Sequence, residues 1–175
     1  DQFFNRFASM ARFGPVLPIV GARTKFQPVY VDDVAAAAWM AAEGHAAPGI
    51  YELGGPDVDT FRELMETMLS VIARRRLILN VPFWMARIMG GGFDLLHRLS
   101  FGLISGPLTL DQVKNLAKDN VVSAEAKSFA DLGFRPVSME GVLPDYLWRF
   151  RPSGQYAASK ASAQNLRGKR AGFGG

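Results

Sequence analysis

Short apolar strand patterns alternate with helix patterns along the first half of this sequence. Residues 16–20 and 26–31 are β-type runs joined by a turn-like connection, and residues 50–53 form a further strand. An alanine-rich helix is predicted between them, from Val34 to about Glu43. Layers of helix and sheet bury such an alternation, so the predicted fold class is α/β.

Two local signals mark where helices should begin. Asp32 or Asp33 is expected to cap the alanine-rich helix, because a short carboxylate accepts the free amide hydrogens of a first turn. The two carboxylates could also act as a general acid/base pair, but adjacent residues do not share a helix face, which favours the cap. Thr60 and Glu63 have the spacing of a capping box. The apolar stripe of the helix they open comprises Phe61, Leu64, Met68, Leu69 and Ile72.

The second half of the chain carries less regular patterns. Gly90–Gly92 have the composition of a phosphate cradle, but apolar segments on both sides favour a flexible break between two helical segments. Gly133 follows a predicted helix at the position where a left-handed residue is wanted. The predicted elements are a strand at 77–81, an apolar helical region at 82–100, a helix from a capping box of Thr109 and Gln112 to about Asn120, a strand-like pair at 121–122, and helices at 123–132 and 141–150.

Composition excludes several classes of site. The chain has no cysteine and two histidines, so thiolate zinc, iron–sulfur and cysteine-nucleophile chemistry are excluded and a histidine metal site is not expected. The net charge of +4 is unevenly distributed. Residues 149–175 contain six basic and no acidic residues, whereas residues 1–148 carry a net charge of −2. Residues 152–175 are therefore predicted to form a disordered basic tail, either solvated or near anionic lipid headgroups. No nucleic-acid motif supports RNA as a partner.

Residues 26–35 read Phe-Gln-Pro-Val-Tyr-Val-Asp-Asp-Val-Ala. This stretch resembles the late strand and following helix of extended or atypical short-chain dehydrogenases/reductases, the NAD-dependent epimerase/dehydratase superfamily. Residues 50–69 and 130–141 agree with that superfamily in the same order. Within it, residues 4–15 (Phe-Asn, then Phe-Ala-Ser-Met, then Arg-Phe-Gly-Pro) and residues 27–31 resemble the nucleotide-binding accessory subunits of respiratory complex I and their bacterial relatives.

The resemblance implies the C-terminal portion of an NAD(P)-binding Rossmann-type fold. Residues 1–73 would hold the last strands of that domain and the start of a small mixed α/β domain, which residues 74–151 would complete as a docking domain. A Rossmann domain holds pyrophosphate on a glycine-rich turn, and no Gly-x-Gly-x-x-Gly occurs in the 175 residues. NADP(H) or NAD(H) would therefore be bound mainly by a preceding half. An open sheet edge left without that half predicts poor solubility in isolation.

The resemblance also names candidate residues for a substrate cleft: Asn5, Arg6, Gln27 and Tyr30. For Asn5 and Arg6 the alternative is a surface position on a first helix. Sugar-nucleotide epimerases and dehydratases commonly carry an arginine where this chain has Phe26, and a phenyl ring cannot make that bidentate contact with a diphosphate.

Catalytic, cofactor-binding and metal residues are not assigned. Tyr156 and Lys160 match the Tyr-x-x-x-Lys spacing of a reductase's catalytic pair. However, they follow the Val-x-Asp-Val strand, whereas in the superfamily the pair precedes it. The match is therefore read as a coincidence.

Residues 74–104 mix basic side chains with aromatic and aliphatic ones. This composition is typical of a helix in a membrane interface or against a membrane-bound partner, and the alternative is an ordinary buried helix pair. The candidate docking residues are Arg74, Arg75, Arg76, Phe83, Trp84, Arg87, Phe93 and Arg98.

The function implied by the resemblance is that of an accessory subunit of NADH:quinone oxidoreductase with a structural or assembly role and no catalytic activity of its own. Its partners would be other complex I subunits, with the membrane surface as a further candidate. It would be peripheral on the inner membrane, on the cytoplasmic side in bacteria or the matrix side in mitochondria. The alternatives are the C-terminal substrate domain of an NAD(P)-dependent epimerase, dehydratase or reductase, and a membrane- or RNA-binding module.

Overall fold

The computed structural model describes residues 2–99 and 110–152. The predictions for Thr109 and for the tail with Tyr156 and Lys160 lie outside these residues. The helices and strands are α1 (Gln2–Phe13), β1 (Val16–Val20), β2 (Lys25–Phe26), α2 (Val31–Ala42), β3 (Asp59–Thr60), α3 (Phe61–Val71), β4 (Leu77–Val81), α4 (Phe83–Leu99), α5 (Leu110–Asn115) and α6 (Met139–Leu147), with single 3-10 turns at Phe129–Leu132 and Trp148–Phe150.

Two small sheets organise the described residues. β1 and β4 pair in parallel, with Val16 opposite Leu77 and Val20 opposite Val81. Parallel strands need a long crossover, and α2 and α3 lie in the segment that connects these two. β2 and β3 form a short antiparallel pair. The α/β prediction is confirmed at this level, as a mixed fold with a small parallel sheet.

Helix α3 begins at the predicted capping box. The Thr60 hydroxyl accepts a hydrogen bond from the Glu63 backbone N–H at 3.3 Å, and the Glu63 carboxylate accepts one from the Thr60 N–H at 2.7 Å. Two amide hydrogens that the helix could not pair itself are thereby satisfied. The predicted stripe is buried, because its 3.6-residue spacing places it on one face toward the core.

The largest core packs α1, β1, α3 and α6 together. The buried residues come from both ends of the described chain, so α1 and α6 share one core. This core also includes residues on both sides of the predicted domain boundary between 73 and 74. Its buried residues are Phe4, Ala8, Ala11, Leu17, Ile19, Ala22, Phe61, Leu64, Met65, Met68, Leu69, Ile72, Leu143, Leu147 and Phe150. A smaller cluster of Val20, Ala86 and Val113 joins β1 to α4 and α5.

Several predicted elements have different bounds. α2 begins at Val31 rather than Val34, and the strand predicted at 26–31 is confined to Lys25–Phe26. The backbone beyond Phe26 is extended, but it has no continuous partner strand to form a ladder with. For the same reason, the strand predicted at 50–53 is reduced to one bridge between Tyr51 and Lys127.

The predicted break at Gly90–Gly92 is wrong, because α4 continues through these glycines to Leu99. Each glycine weakens a helix by about 1 kcal/mol relative to alanine, but tertiary packing outweighs this cost where the helix is held. α4 is held by Ala86, which is buried against Val20 and Val113.

The helix predicted at 123–132 is also wrong. A turn and the 3-10 segment Phe129–Leu132 replace it, capped by Ser128 with Asp131. Gly133 has the expected left-handed conformation, with φ at +67°. Within the part of the chain that the structure describes, no helix combines the length and the apolar character required to cross a bilayer.

We expect Thr60→Ala to lower the free energy of unfolding by about 1 kcal/mol, because the Glu63 N–H loses its acceptor. The midpoint of urea unfolding measures this change. Ser70→Ala, an exposed position near the other end of α3, is the matched control and should shift stability by less than about 0.5 kcal/mol. Equal effects of the two substitutions would contradict a role for the cap.

The same capping box predicts a pH dependence. Backbone and side-chain hydrogen bonds from Thr60 lower the pKa of Glu63. A carboxylate whose pKa is lower in the folded state adds stability above its unfolded pKa, and this stability is lost as pH falls through the folded pKa. Unfolding measured between about pH 5 and 3 should therefore show a steeper loss in the wild type than in Glu63→Gln. Parallel pH profiles would count against this contribution.

Candidate functional site

An apolar cleft of about 800 Å³ opens between α1, the extended segment after β2, and α6. The residues around it come from elements that are distant in sequence and are brought together by the main core. Its walls are Phe3 and Phe4 of α1, residues 26–31, Leu64 of α3, Asn120, and Met139, Val142, Leu143 and Tyr146 of α6. None of these described lining residues is an Asp, Glu, Lys, Arg or His.

Four phenylalanine rings hold one wall of the cleft in place. The Phe26 ring lies 5.7 Å from that of Phe61 and 6.4 Å from that of Phe3, measured between ring centroids. Phe61 also meets Phe3 at 5.6 Å and Phe7 at 5.4 Å. Tilted and edge-to-face contacts at these distances are favourable, so Phe26 is fixed by rings that belong to α1 and α3.

Gln27, one of the candidates for a substrate cleft, is among the residues that line this cleft, but its amide is already engaged. Its Nε2 donates to the Gly55 carbonyl at 2.8 Å, and its Oε1 accepts from the Val122 N–H at 2.9 Å. A Cβ at Gly55 would collide with the Pro28 carbonyl oxygen, and one at Gly54 would lie 2.6 Å from the Gln27 side chain. The Gly-Gly pair therefore permits the close approach that lets Gln27 connect three segments.

Tyr30 also lines the cleft, and its phenol is kept neutral. Two effects of Asp32 raise the pKa of Tyr30. The larger is the hydrogen bond between the two side chains, and the smaller is the negative charge of the carboxylate. Burial raises the pKa of Tyr146 to about 12. Both phenols at the cleft therefore stay uncharged near neutral pH.

Asn5 and Arg6 lie outside the residues that line this cleft. α1 contributes its Phe3 and Phe4 to the walls instead. The Asn5 side chain accepts a hydrogen bond from Arg149 Nη2 at 2.8 Å, which connects α1 to the turn after α6. Of the four predicted cleft residues, the structure thus brings Gln27 and Tyr30 together.

The two aspartates at the start of α2 have roles that differ from the predicted cap. Tyr30 is the N-cap residue and makes no side-chain cap hydrogen bond, so the prediction that Asp32 or Asp33 caps this helix is wrong. Asp33 is 5% exposed and accepts the Val137 N–H at 2.7 Å. It ties α2 to the segment that leads into α6. No local pattern indicates this, because the partner lies 104 residues away.

Two of the three consecutive arginines predicted for docking bond within the chain. Arg74 Nε donates to the Phe150 carbonyl at 3.0 Å, and Arg76 Nε donates to the Ala11 carbonyl at 2.7 Å. Both acceptors lie at or near the ends of helical segments, where carbonyls lack helical partners and a cation is favourable. Arg75, between them, is exposed.

Helix α4 presents a row of exposed apolar side chains beside Arg87. We call this row, with Arg87, the α4 surface; its apolar members are Trp84, Met85, Ile88 and Met89, with Trp84 62% and Ile88 68% exposed. Phe83 lies on the inner side and packs against the cluster of Val20, Ala86 and Val113. The side chains of Phe93 and Arg98 lie outside the described part. No group of described His, Asp and Glu side chains is arranged to hold a metal ion.

Sequence comparison finds relatives along almost the whole chain. Mitochondrial NADH dehydrogenase (ubiquinone) 1 alpha subcomplex subunit 9 of Arabidopsis thaliana is 36% identical over 167 residues, which cover 93% of this chain and 42% of the relative. The mitochondrial NADH-ubiquinone oxidoreductase 40 kDa subunit of Neurospora crassa is 28% identical over 168 residues, covering 95% of this chain and 42% of the relative. The chain therefore spans less than half the length of these relatives. No family model matches.

A solved structure, that of gox2253, shares the fold. It superposes with a TM-score of 0.53 at 20% sequence identity, and the match covers 89% of this chain and 45% of that one. The resemblance to complex I accessory subunits that the sequence motifs indicate is confirmed by the two relatives.

We expect Asp33→Ala to lower the free energy of unfolding by about 2 kcal/mol, because a charge-assisted hydrogen bond is lost at a buried site. Asp32→Ala is the matched control, since this neighbouring carboxylate is exposed. It should change stability by less than about 0.5 kcal/mol. Urea unfolding of both variants checks the prediction, and a larger loss in Asp32→Ala would refute it.

Proposed function

We propose that this chain, a homologue of the mitochondrial NADH dehydrogenase subunits named above, is the C-terminal portion of an accessory subunit of complex I. The observation that carries the proposal is the 36% identity along 93% of the chain. Similarity of this extent covers the segments that form both the core and the cleft, whereas one shared motif would cover only part of them. The role we assign is structural or assembly-related.

The cofactor we propose for the complete subunit is NADP(H) or NAD(H). This chain has no Gly-x-Gly-x-x-Gly turn, so its own sequence does not supply the feature that cradles a pyrophosphate. We therefore assign the cofactor to a preceding part of the subunit and none of its contacts to residues of this chain. When bound, the cofactor would stabilise the folded subunit by mass action.

The docking contribution of this chain is proposed to come from the α4 surface. Exposed Trp84 and Ile88 beside Arg87 form an apolar patch with a cationic group, a combination that suits a partner at the membrane or the membrane interface. We place the subunit peripherally on the inner membrane, facing the matrix in mitochondria or the cytoplasm in bacteria.

Purification of the tagged full-length protein from detergent-solubilised membranes tests the assignment. We expect complex I subunits to co-purify and to be identified by mass spectrometry. A parallel measurement of NAD(P)H oxidation by the purified protein separates the structural role from that of a reductase. Recovery of the protein without complex I subunits would contradict the proposal, as would turnover of the cofactor by the protein alone.

The α4 surface is tested by Trp84→Ser in the same full-length protein. We expect this variant to co-purify at most about one-tenth as much complex I as the wild type, because a large buried aromatic anchor contributes about 2 kcal/mol or more to an interface. Trp39→Ser is a closely matched control, since Trp39 on α2 is 67% exposed and Trp84 is 62% exposed. Equal co-purification of the two variants would remove α4 from the interface.

A further inference from the structure

The cleft between α1 and α6 has the size and lining of a ligand-binding site, and it is separate from the α4 surface. Its described walls contain no Asp, Glu, Lys, Arg or His side chain. They contain five aromatic rings, from Phe3, Phe4, Phe26, Tyr30 and Tyr146. Its volume of about 800 Å³ falls in the range of small-molecule sites, about 300–1,000 Å³. We propose that this cleft binds an uncharged amphiphile, an aliphatic chain ending in a hydroxyl or similar neutral group.

The charge pattern argues against an anionic ligand. A phosphate or carboxylate that enters the cleft loses hydration and meets no arginine, lysine or histidine among the described lining residues. Phe26 lines the cleft with an uncharged ring, and the rings of Phe3 and Phe61 hold it in place. The charges that act on the Tyr30 phenol at the cleft are negative and come from Asp32, Asp145 and Asp33. An anion would therefore be repelled as well as unpaired.

The lining suits an aliphatic chain. Met139, Val142 and Leu143 of α6 line the same cleft as Phe26 and add aliphatic surface to its aromatic lining. Removing a hydrocarbon chain from water into such a space is favourable in proportion to the apolar area that is buried. The ring contacts behind Phe26 hold that wall before any ligand arrives, so little ordering would be needed on binding.

The polar end of the ligand would lie at the rim. Asn120 is exposed and Tyr30 is half-buried, so these two polar lining residues can contact both solvent and a ligand in the cleft. The Tyr30 phenol donates its hydrogen to Asp32, so its oxygen is left to accept a hydrogen bond from a ligand hydroxyl, and the Asn120 amide can both donate and accept. Gln27 is excluded from this role because its amide is already bonded to Gly55 and Val122.

The test is a displacement measurement on the full-length protein with the neutral fluorescent probe N-phenyl-1-naphthylamine. Dodecanol, laurate and dodecylammonium share one chain and differ in charge, and uridine diphosphate represents a nucleotide. We expect dodecanol to displace the probe at a concentration at least about tenfold lower than laurate, and uridine diphosphate not to displace it. Tightest binding of laurate, dodecylammonium or the nucleotide overturns the proposal. Absence of probe binding or of dodecanol displacement also overturns it, because a polypeptide segment would then be the better occupant.

Two variants locate the binding in the cleft. Val142→Asp places a carboxylate on the α6 wall and should raise the dodecanol midpoint by at least about tenfold. Val142→Phe fills the space without adding charge and should also weaken binding, which keeps the test decisive where circular dichroism shows that the aspartate variant is unfolded. Val58→Asp, at an exposed position outside the lining, should leave binding unchanged within about twofold. Unchanged binding in a folded Val142 variant overturns the assignment, whatever the outcome of complex I co-purification.

Discussion

The buried face of α3 is the packing surface on which both the main core and the cleft depend. Phe61, its first residue, is 1% exposed and contacts the rings of Phe3, Phe7 and Phe26. Leu64, one turn later, is buried in the core and also lines the cleft. Because one helix supplies both surfaces, the position of the cleft wall is set by the same contacts that hold α1 and α6 together. A change that shifts α3 would alter the fold and the site at once.

Local sequence signals predicted those parts of the fold whose cause is local. The capping box at Thr60 and Glu63, the stripe of α3 and the left-handed Gly133 each depend on residues within a few positions of one another. Asp33 is a counterexample, because an aspartate before a helix has the ordinary signature of a cap. Its carboxylate instead meets Val137, and only the tertiary fold brings the two together. The same limit applies to the cleft, in which Gln27 and Tyr30 were predictable from the motif they share, whereas Val142 had no signal of its own.

The glycines show how neighbours, and not residue type, decide a structural role. Gly54 and Gly55 lie against residues 27 and 28 so closely that a Cβ would collide, and the chain there is neither helix nor strand. A Cβ at Gly91 or Gly92 would meet no atom of the described residues within 4 Å beyond the neighbouring helix backbone, and the helix runs through both glycines. Both sets predict a break from sequence alone. The difference arises because α4 is held by its contacts with β1 and α5, whereas Gly54 and Gly55 are packed directly against residues 27 and 28.

The same distinction governs the electrostatics of the proposed docking surface. Three consecutive arginines indicate a basic patch, but Arg74 and Arg76 donate to carbonyls at helix ends, and these dipoles offset part of their charge. Arg87 is then the exposed cation of the α4 surface, and it would contribute only about 1 kcal/mol toward an anionic membrane. Attraction of that size does not hold a protein at a bilayer. Burial of Trp84 and Ile88 must therefore supply most of the affinity, which favours a shaped apolar groove on a protein partner over the lipid surface itself.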